Sequence, residues 1–484
     1  MQQKIDAITS EVLEKITPTK ANRTKMEALA KNLEHKVALA CKEFGVKAVV
    51  RLEGSVAKDT WLNKEPDVDV FMRMPTTIPR KDLGEISLKI AKKATAGSEQ
   101  IERFAEHPYL EAFVDDTRVN IVPCYDAKPG EGLSATDRTP FHTDYINKHL
   151  DKNIRGEVRL LKKFMKGINV YGAEIKVGGF SGYLCELLVL HYGSFAAVLQ
   201  AFAQHTPRRV IDTEHYYEGR ERELELLFSE PLVIIDPVDK ARNVASAVQP
   251  QKLHTFVGAT QAFLKTPSDE FFYPPKTKSL TAKKLKASLD NRGSAMVFLT
   301  FDGVKAVPDV LWGQLYRTRR SLRKLLELSD FKVLRDEVWS AEDETSTVFI
   351  FELEQRCLPL AKRHFGPPLE REKECADFLA KYVGNGNVIA GPYLEDGRWI
   401  VEVKRKFTDS VELLKTKVSS GGRDVGVAEL VAKNLREDFR VMVNSEVVEV
   451  YLNYDDFAEF LTDFLLGKPF WLHENCNCSE RKQN

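Results

Sequence analysis

Residues 51–71 read RLEGSVAKDTWLNKEPDVDVF, and the rest of the chain is organised around them. Val68, Val70 and Phe71 mark the closing segment as a strand. Side chains at i and i+2 of a strand share a face, so Asp67 and Asp69 project side by side. Two carboxylates held together repel, and a divalent cation between them removes the conflict. A few hard oxygen ligands suit Mg²⁺, which keeps waters and takes the rest of its shell from substrate phosphates. At the other end, the Gly54-Ser55 turn offers backbone N–H groups and a hydroxyl to a triphosphate, with glycine permitting the close approach.

At 484 residues the chain calls for three or four domains. A hydrophobic fraction of 43% and a charged fraction of 29% describe a soluble globular protein. Lys+Arg and Asp+Glu are equal at 71 each, so any nucleic-acid-binding surface must be local. The seven cysteines are scattered, and single thiols such as Cys124 and Cys185 fit a reducing cytoplasm. Cys476 and Cys478 beside His473 are a weak metal pattern in what reads as a terminal tail. The most apolar stretch, 180–199, contains Glu186, His191 and glycines and is not a membrane span.

Residues 1–46 read as two helices, the second over 22–44 and ending at Gly45. Residues 47–52 read as a strand and 83–96 as a helix. Strands over 109–114 and 117–122 are joined by Asp115-Asp116, a hairpin turn signal. Thr139-Pro140 reads as a helix start, with Thr as N-cap and Pro at the first helical position. Arg138 and His142 beside that N-terminus make it a fair anion site. A helix over 155–167 carries Arg159, Lys162, Lys163 and Lys166.

A Gly-Ser turn ahead of an Asp-x-Asp strand resembles the signature of the polymerase-β nucleotidyltransferase superfamily. The full GSVAKDTWL…DVDVF string resembles one family within it, the archaeal-type (class I) CCA-adding tRNA nucleotidyltransferases. The strings YGAE (171–174), GGFSGY (178–183) and IDPVDKARNVA (235–245) are similar to the same family. The resemblance implies that Ser55, Lys162 and Tyr171 contact the triphosphate and that Thr139 touches the incoming ribose. It places His107 and His142 near the sugar and phosphate, and Arg242 at a base edge or phosphate; Gly54, Lys58 and Arg138 complete the nucleotide-binding set. Read singly, Lys162 is a solvated charge on a basic helix, Tyr171 a core or rim aromatic, and His142 part of a cap. Arg242 alone pairs with Asp236 or Asp239, which is compatible with base reading because the carboxylates would fix the guanidinium plane.

The family pattern places a third carboxylate two residues before the Val-Pro of RVNIVP (118–123), and Asn120 stands there instead. The resemblance therefore makes Asp67, Asp69 and Asn120 the catalytic and metal-ligating positions. An amide oxygen ligates weakly, carries no charge and cannot accept the proton of the attacking 3′-hydroxyl. Loss of a general base costs about 10²–10⁴ in rate. Asn120 reads either as a natural loss or as an isosteric change that traps a complex before chemistry.

In the second half, residues 257–290 read as a helical connector, 294–301 as a strand and 308–328 as a helix with Arg317, Arg319, Arg320, Arg323 and Lys324. Strands over 332–339 and 346–353 complete a ferredoxin- or RRM-like pattern without the RRM aromatic signature. Residues 363–368 read as punctuation between domains, 370–383 as a helix, and 424–434 and 455–466 as further helices. The resemblance implies that a tail domain grips the tRNA through Arg398, Lys404, Arg405 and Lys406, a sensible phosphate-binding cluster.

The fold expected is α+β and multidomain: a polymerase-β-like nucleotidyltransferase head (1–150) and a mixed, mostly helical central domain (151–256). A ferredoxin/RRM-like body (257–362) and an α/β tail (363–484) follow. The activity implied is template-independent addition of C, C and A to the 3′ end of tRNA from CTP and ATP, with Mg²⁺ as cofactor. The partners implied are the tRNA 3′ end with its acceptor and T arms, with a homodimer allowed and no membrane. A tRNA-end-binding protein without activity, a poly(A) polymerase-like enzyme and an RNA-binding module with a vestigial site are the competing readings.

Overall fold

In the computed structural model, which describes residues 2–104, 106–128, 132–204, 206–343 and 345–472, the chain forms two units. One runs to Pro275 and takes in residues 469–472; the other spans Lys276–Lys468. The first opens with helices α1 (Gln2–Ile16) and α2 (Lys20–Glu43), the latter capped by the Thr19 side chain. Then come β1 (Val49–Glu53), the one-turn helix α3 (Gly54–Ala57), β2 (Asp67–Met74), α4 (Arg80–Ala94), β3 (Glu99–Phe104), β4 (Pro108–Val114) and β5 (Thr117–Tyr125).

These strands form one sheet in the order β1-β2-β5-β4-β3, antiparallel except for the parallel β2–β5 pair. The period of two in β2 sends Val68, Val70, Met72 and Met74 to one face, where they pack with Val119, Ile121 and Leu110 under α2 and α4. The opposite face carries Asp67 and Asp69. Asp115 and Asp116 both take positive φ, 49° and 58°, in the tight turn between β4 and β5.

Helices α5 (Thr139–His149), α6 (Arg155–Gly167), α7 (Gly182–Tyr192) and α8 (Phe195–Ala203) follow, then β6 (Arg209–Ile211), α9 (Glu221–Leu227), β7 (Leu232–Asp236), β8 (Asp239–Asn243) and α10 (Pro250–Lys265). Their core is aromatic: Phe164, Phe180, Phe195, Phe202, Phe256, Phe263, Phe271 and Phe272 are buried together. Helix α1 packs on this core through Ile5, Val12 and Ile16, not on the sheet of the head. Among the described residues no single helix is long and apolar enough to cross a membrane; α7 and α8 together come near it but bend by 90° and lie in this core.

The second unit runs α11 (Ala282–Asp290), β9 (Ala295–Asp302), α12 (Pro308–Leu328), β10 (Val333–Ser340), β11 (Ser346–Leu353), β12 (Ala361–Pro368), α13 (Glu372–Tyr382), β13 (Val388–Glu395) and β14 (Arg398–Lys404). It ends with α14 (Ser410–Val418), α15 (Glu429–Glu437), β15 (Arg440–Val443), α16 (Val448–Asn453) and α17 (Asp455–Leu466). Its larger sheet, β10-β11-β9-β15, is antiparallel throughout and has the ferredoxin-like order. The smaller sheet, β12-β14-β13, is inserted between β11 and the helices that lead to β15. Helices α12, α14 and α15 cover one face of the larger sheet, while α11, α16 and α17 cover the other. That second cover occupies the face an RRM presents to RNA.

Three local expectations are corrected. Thr139 is not the N-cap of α5: Arg138 is, and a 3₁₀ turn over Ala135–Arg138, closed by a Ser134–Asp137 capping box, has already wound the chain. Residues 363–368 are not punctuation but most of β12, paired with β14 until the Gly-Pro-Pro breaks its register. The helix expected over 424–434 begins only at Glu429, because Gly426 takes φ 91° and ends a 3₁₀ turn first. The His473, Cys476 and Cys478 pattern lies outside the described residues.

Candidate active site

The charged face of the head sheet is built by strand register. Asp69 stands opposite Glu53 on β1 and Asn120 on β5, and Asn120 stands opposite Glu111 on β4. Side chains directly opposite one another share a face, so Glu53, Asp69, Asn120 and Glu111 form a row across four strands. Asp67 lies one step along, opposite Arg118.

The pairing within this row is specific. Arg118 donates to both oxygens of Asp67, from Nε at 2.7 Å and Nη2 at 2.5 Å. Glu111, buried, accepts from Arg103 Nη2 at 2.8 Å and lies 3.9 Å from Arg118 Nη1. Asn120 turns its amide N–H toward Asp69, donating to Oδ1 at 2.9 Å. Burial pushes the Asp69 carboxyl up to about 6; the Asn120 bond opposes this and the Asp67 charge adds to it. Burial likewise pushes Glu53 up to about 7, against the pull of Thr143 and of Arg51, whose Nε is 3.0 Å away.

Gly54 has a reason that its position in a turn does not announce. Its φ is +72°, and a Cβ there would lie 2.0 Å from Asp69 Oδ2. Any side chain at 54 would displace the carboxylate. Ser55 follows it at the start of α3. Two carboxylates on one strand face, beside an amide, offer hard oxygen atoms of the kind a divalent cation takes, with Asp69 Oδ2 free of Asn120 and both Asp67 oxygens shared with Arg118. Among the described residues no cluster of three or more His, Cys, Asp or Glu side chains forms a closed cage.

Two carboxylates outside the candidate site set hold four of the nucleotide-binding candidates, Lys58, Lys162, Arg242 and His142. Glu186 on α7, fully buried, accepts from Lys58 Nζ at 2.5 Å and from the Thr60 hydroxyl at 2.5 Å, and lies 3.4 Å from Lys162 Nζ. Lys162 also donates to the Thr60 carbonyl and hydroxyl, each at 3.1 Å. Lys162 is therefore a buried residue and not a solvated charge. Asp236, at the end of β7, accepts from Arg242 Nη1 at 2.7 Å and from the Tyr183 hydroxyl at 3.2 Å, with His142 Nε2 at 2.9 Å. The His142 ring stacks on Tyr183 at 4.0 Å between centroids. Burial lowers the His142 pKa despite Asp236.

Arg138 lies 3.3 Å from Asp239 Oδ2 on β8. His107 is buried with its ring edge-on to Tyr125, and Thr139 occupies the first helical position of α5. Tyr171 carries Lys166 over its ring at 5.2 Å. In the second unit Arg405 is tied down, with Nε 3.3 Å from Asp330 Oδ2 and Nη1 donating to the carbonyls of Pro359 and Ala361 at 2.8 and 2.5 Å. Lys404 and Lys406 are exposed, and Arg398 opens β14. The one signal that pointed to Glu186 was a carboxylate inside the most apolar stretch of the chain. Arg118 and Glu111 had none, since their place in the row depends on strand register.

The chain matches the family models described as nucleotidyltransferase domain over 35–142, tRNA nucleotidyltransferase second domain over 156–273, and CCA-adding enzyme C-terminal domain over 292–444. It is 36% identical over 457 residues to the CCA-adding enzyme of Methanosarcina barkeri, covering 94% of this chain and 97% of that protein. It is also 36% identical over 448 residues to the CCA-adding enzyme of Halobacterium salinarum, covering 92% and 96%. Identity to the enzyme of Methanopyrus kandleri is 34% over 490 residues, covering 96% and 98%. Among solved structures, a cytoplasmic RNA terminal U-transferase is similar with a TM-score of 0.44 and 16% identity over 56% of this chain and 98% of that one.

Proposed function

The chain belongs to the CCA-adding enzymes, a family of tRNA nucleotidyltransferases, and from that premise we propose how its own residues divide the work. Asp67 and Asp69 would hold Mg²⁺, with the phosphates of CTP or ATP completing its shell. Bound there, Mg²⁺ supplies neutralising charge for the triphosphate and acidifies the attacking 3′-hydroxyl. Gly54 and Ser55 lie along the phosphates, with Lys58, Lys162 and Tyr171 supplying charge and hydrogen bonds. Arg242, its plane fixed by Asp236, reads the base; Thr139, Arg138, His107 and His142 line the sugar and phosphate side. In the second unit, Arg398, Lys404 and Lys406 hold tRNA phosphates, while Arg405 braces the strand that presents them. The free, buried thiols of Cys124 and Cys185 support work in a reducing cytoplasm.

Asn120 decides how fast this site runs. Its N–H points at Asp69, as a donor where the reaction calls for an acceptor, and that single hydrogen bond carries the reading. The side chain cannot take the proton of the 3′-hydroxyl, and it brings no charge to a cation. The chain as it stands binds CTP, ATP and tRNA but transfers nucleotides slowly or not at all. Primer extension on tRNA lacking its 3′ CCA tests this, with the chain beside its Asn120→Asp variant, CTP, ATP and Mg²⁺. Three-nucleotide addition by the variant alone supports the reading. Equal activity of both refutes the role given to position 120; inactivity of both, with folding intact, leaves a tRNA-binding protein.

A further inference from the structure

Three charged groups that meet below the Gly54-Ser55 turn come from three separate segments. Lys58 follows α3, Lys162 lies on α6 and Glu186 on α7. All three are buried, and Glu186 is 0% exposed. Its Oε2 accepts from Lys58 at 2.5 Å, while its Oε1 accepts from Thr60 at 2.5 Å and faces Lys162 at 3.4 Å. Burial alone would raise the pKa of Glu186, but the two ammonium groups outweigh it and hold the carboxyl below its ordinary value. Burial lowers the pKa of Lys162, and Glu186 is the charge that resists this.

The cluster is built toward one spot. A Cβ on Gly182 would lie 3.0 Å from the Tyr171 hydroxyl and 3.4 Å from Lys162 Nζ, so the absent side chain is what lets these two groups converge at the start of α7. Lys58 Nζ sits 5.6 Å over the Tyr183 ring, beside the His142 stack. Two ammonium groups share this one buried carboxylate, and Lys58 also acts on the carboxyls of Asp69 and Glu53 at the candidate metal face.

Resting on the nucleotide-binding reading above, we propose that Glu186 is a positioning residue of the triphosphate subsite. It holds the Lys58 and Lys162 side chains in place, aimed at the phosphates, while touching no substrate atom itself. Removing its charge then weakens every ligand that carries a triphosphate by the same factor, whatever its base.

The test is equilibrium binding of CTP, ATP and inorganic tripolyphosphate to the full chain in the presence of Mg²⁺, with thermal melting of each variant alongside. Glu186→Gln is expected to weaken all three ligands about tenfold or more and in parallel, with tRNA affinity kept. Glu186→Asp, which keeps the charge, recovers part of the loss. Thr60→Val removes one bond to Glu186 and one from Lys162 while sparing every charge; it is expected to give a smaller parallel loss of about threefold, and it decides the matter should Glu186→Gln not fold. Tripolyphosphate binding unchanged in the variant that folds overturns the proposal, as does a loss confined to CTP and ATP. A wild-type chain that binds neither nucleotide nor tripolyphosphate overturns the nucleotide-binding reading and this role with it.

Discussion

Asp69 and Glu186 are acidic side chains of the same unit whose ionisation is pushed in opposite directions. Asp69 has a neutral amide for its near partner, and burial pushes its carboxyl up to about 6. Glu186 is more deeply enclosed, yet two ammonium groups hold it below its ordinary value. Depth does not separate them; the charge of the partner does. A carboxylate whose neighbours leave it short of positive charge is a place for a cation. A buried one already matched by lysines or arginines is scaffold, and Asp236 with Arg242 is a second example; Asp67, paired with Arg118 but open to solvent, stands between the two classes.

The sharpest way to break this contrast is at position 120. Asn120→Asp is expected to raise the rate of nucleotide addition by about 10²–10⁴-fold. A rate unchanged in a primer-extension assay would show that Asp69 was never short of a partner. On the scaffold side, Asp236→Asn strands Arg242 and His142 and is expected to cost about 3 kcal/mol in urea unfolding at pH 7. A cost near zero would remove Asp236 from the scaffold class.

Glu53 sharpens the comparison through pH. Its carboxyl is raised from 4.5 to about 7, so the folded state holds its proton longer than the unfolded chain does. The stability this lends is complete below about pH 4.5 and is lost as pH rises toward and through 7. Glu53→Gln is therefore expected to change little at pH 4, and to stabilise the protein by about 1–3 kcal/mol at pH 8. Paired melting curves at the two pH values check it; a gain only at the acidic end contradicts the sign. The smallest effect is expected in the second unit. Lys406→Ala should lower the salt dependence of tRNA binding by about one phosphate contact and leave stability alone. Arg405→Ala should do the reverse, costing about 1 kcal/mol in unfolding because its bonds are internal. Identical behaviour of the two variants would erase the distinction drawn between them.

Much of the secondary structure could be read from the chain itself. The helix over 155–167 and the strand over 346–353 fall where the pattern puts them, because their apolar residues recur at a helical or strand period. Strand β3 escaped notice because EQIERF, at the sheet edge, shows no clean apolar face. The 361–368 strand was hidden by Gly366, Pro367 and Pro368, which look like a break and serve as the end of an edge strand. Arg405 looked like its lysine neighbours, and its bonds to Asp330 and to the carbonyls of Pro359 and Ala361 distinguish it.

The sequence by itself determined that Asp67 and Asp69 point the same way, since alternation along a strand is set by backbone geometry. It also determined that Asn120 cannot accept a proton, since that follows from the amide group. Only the tertiary structure decided what stands against them. Arg118 faces Asp67 and Asn120 faces Asp69 because β5 pairs in parallel with β2 in one register; Glu186 meets Lys58 because α7 packs beneath the turn after α3. The partner of a buried charge is chosen by which elements pack together, and no local pattern in the chain encodes that.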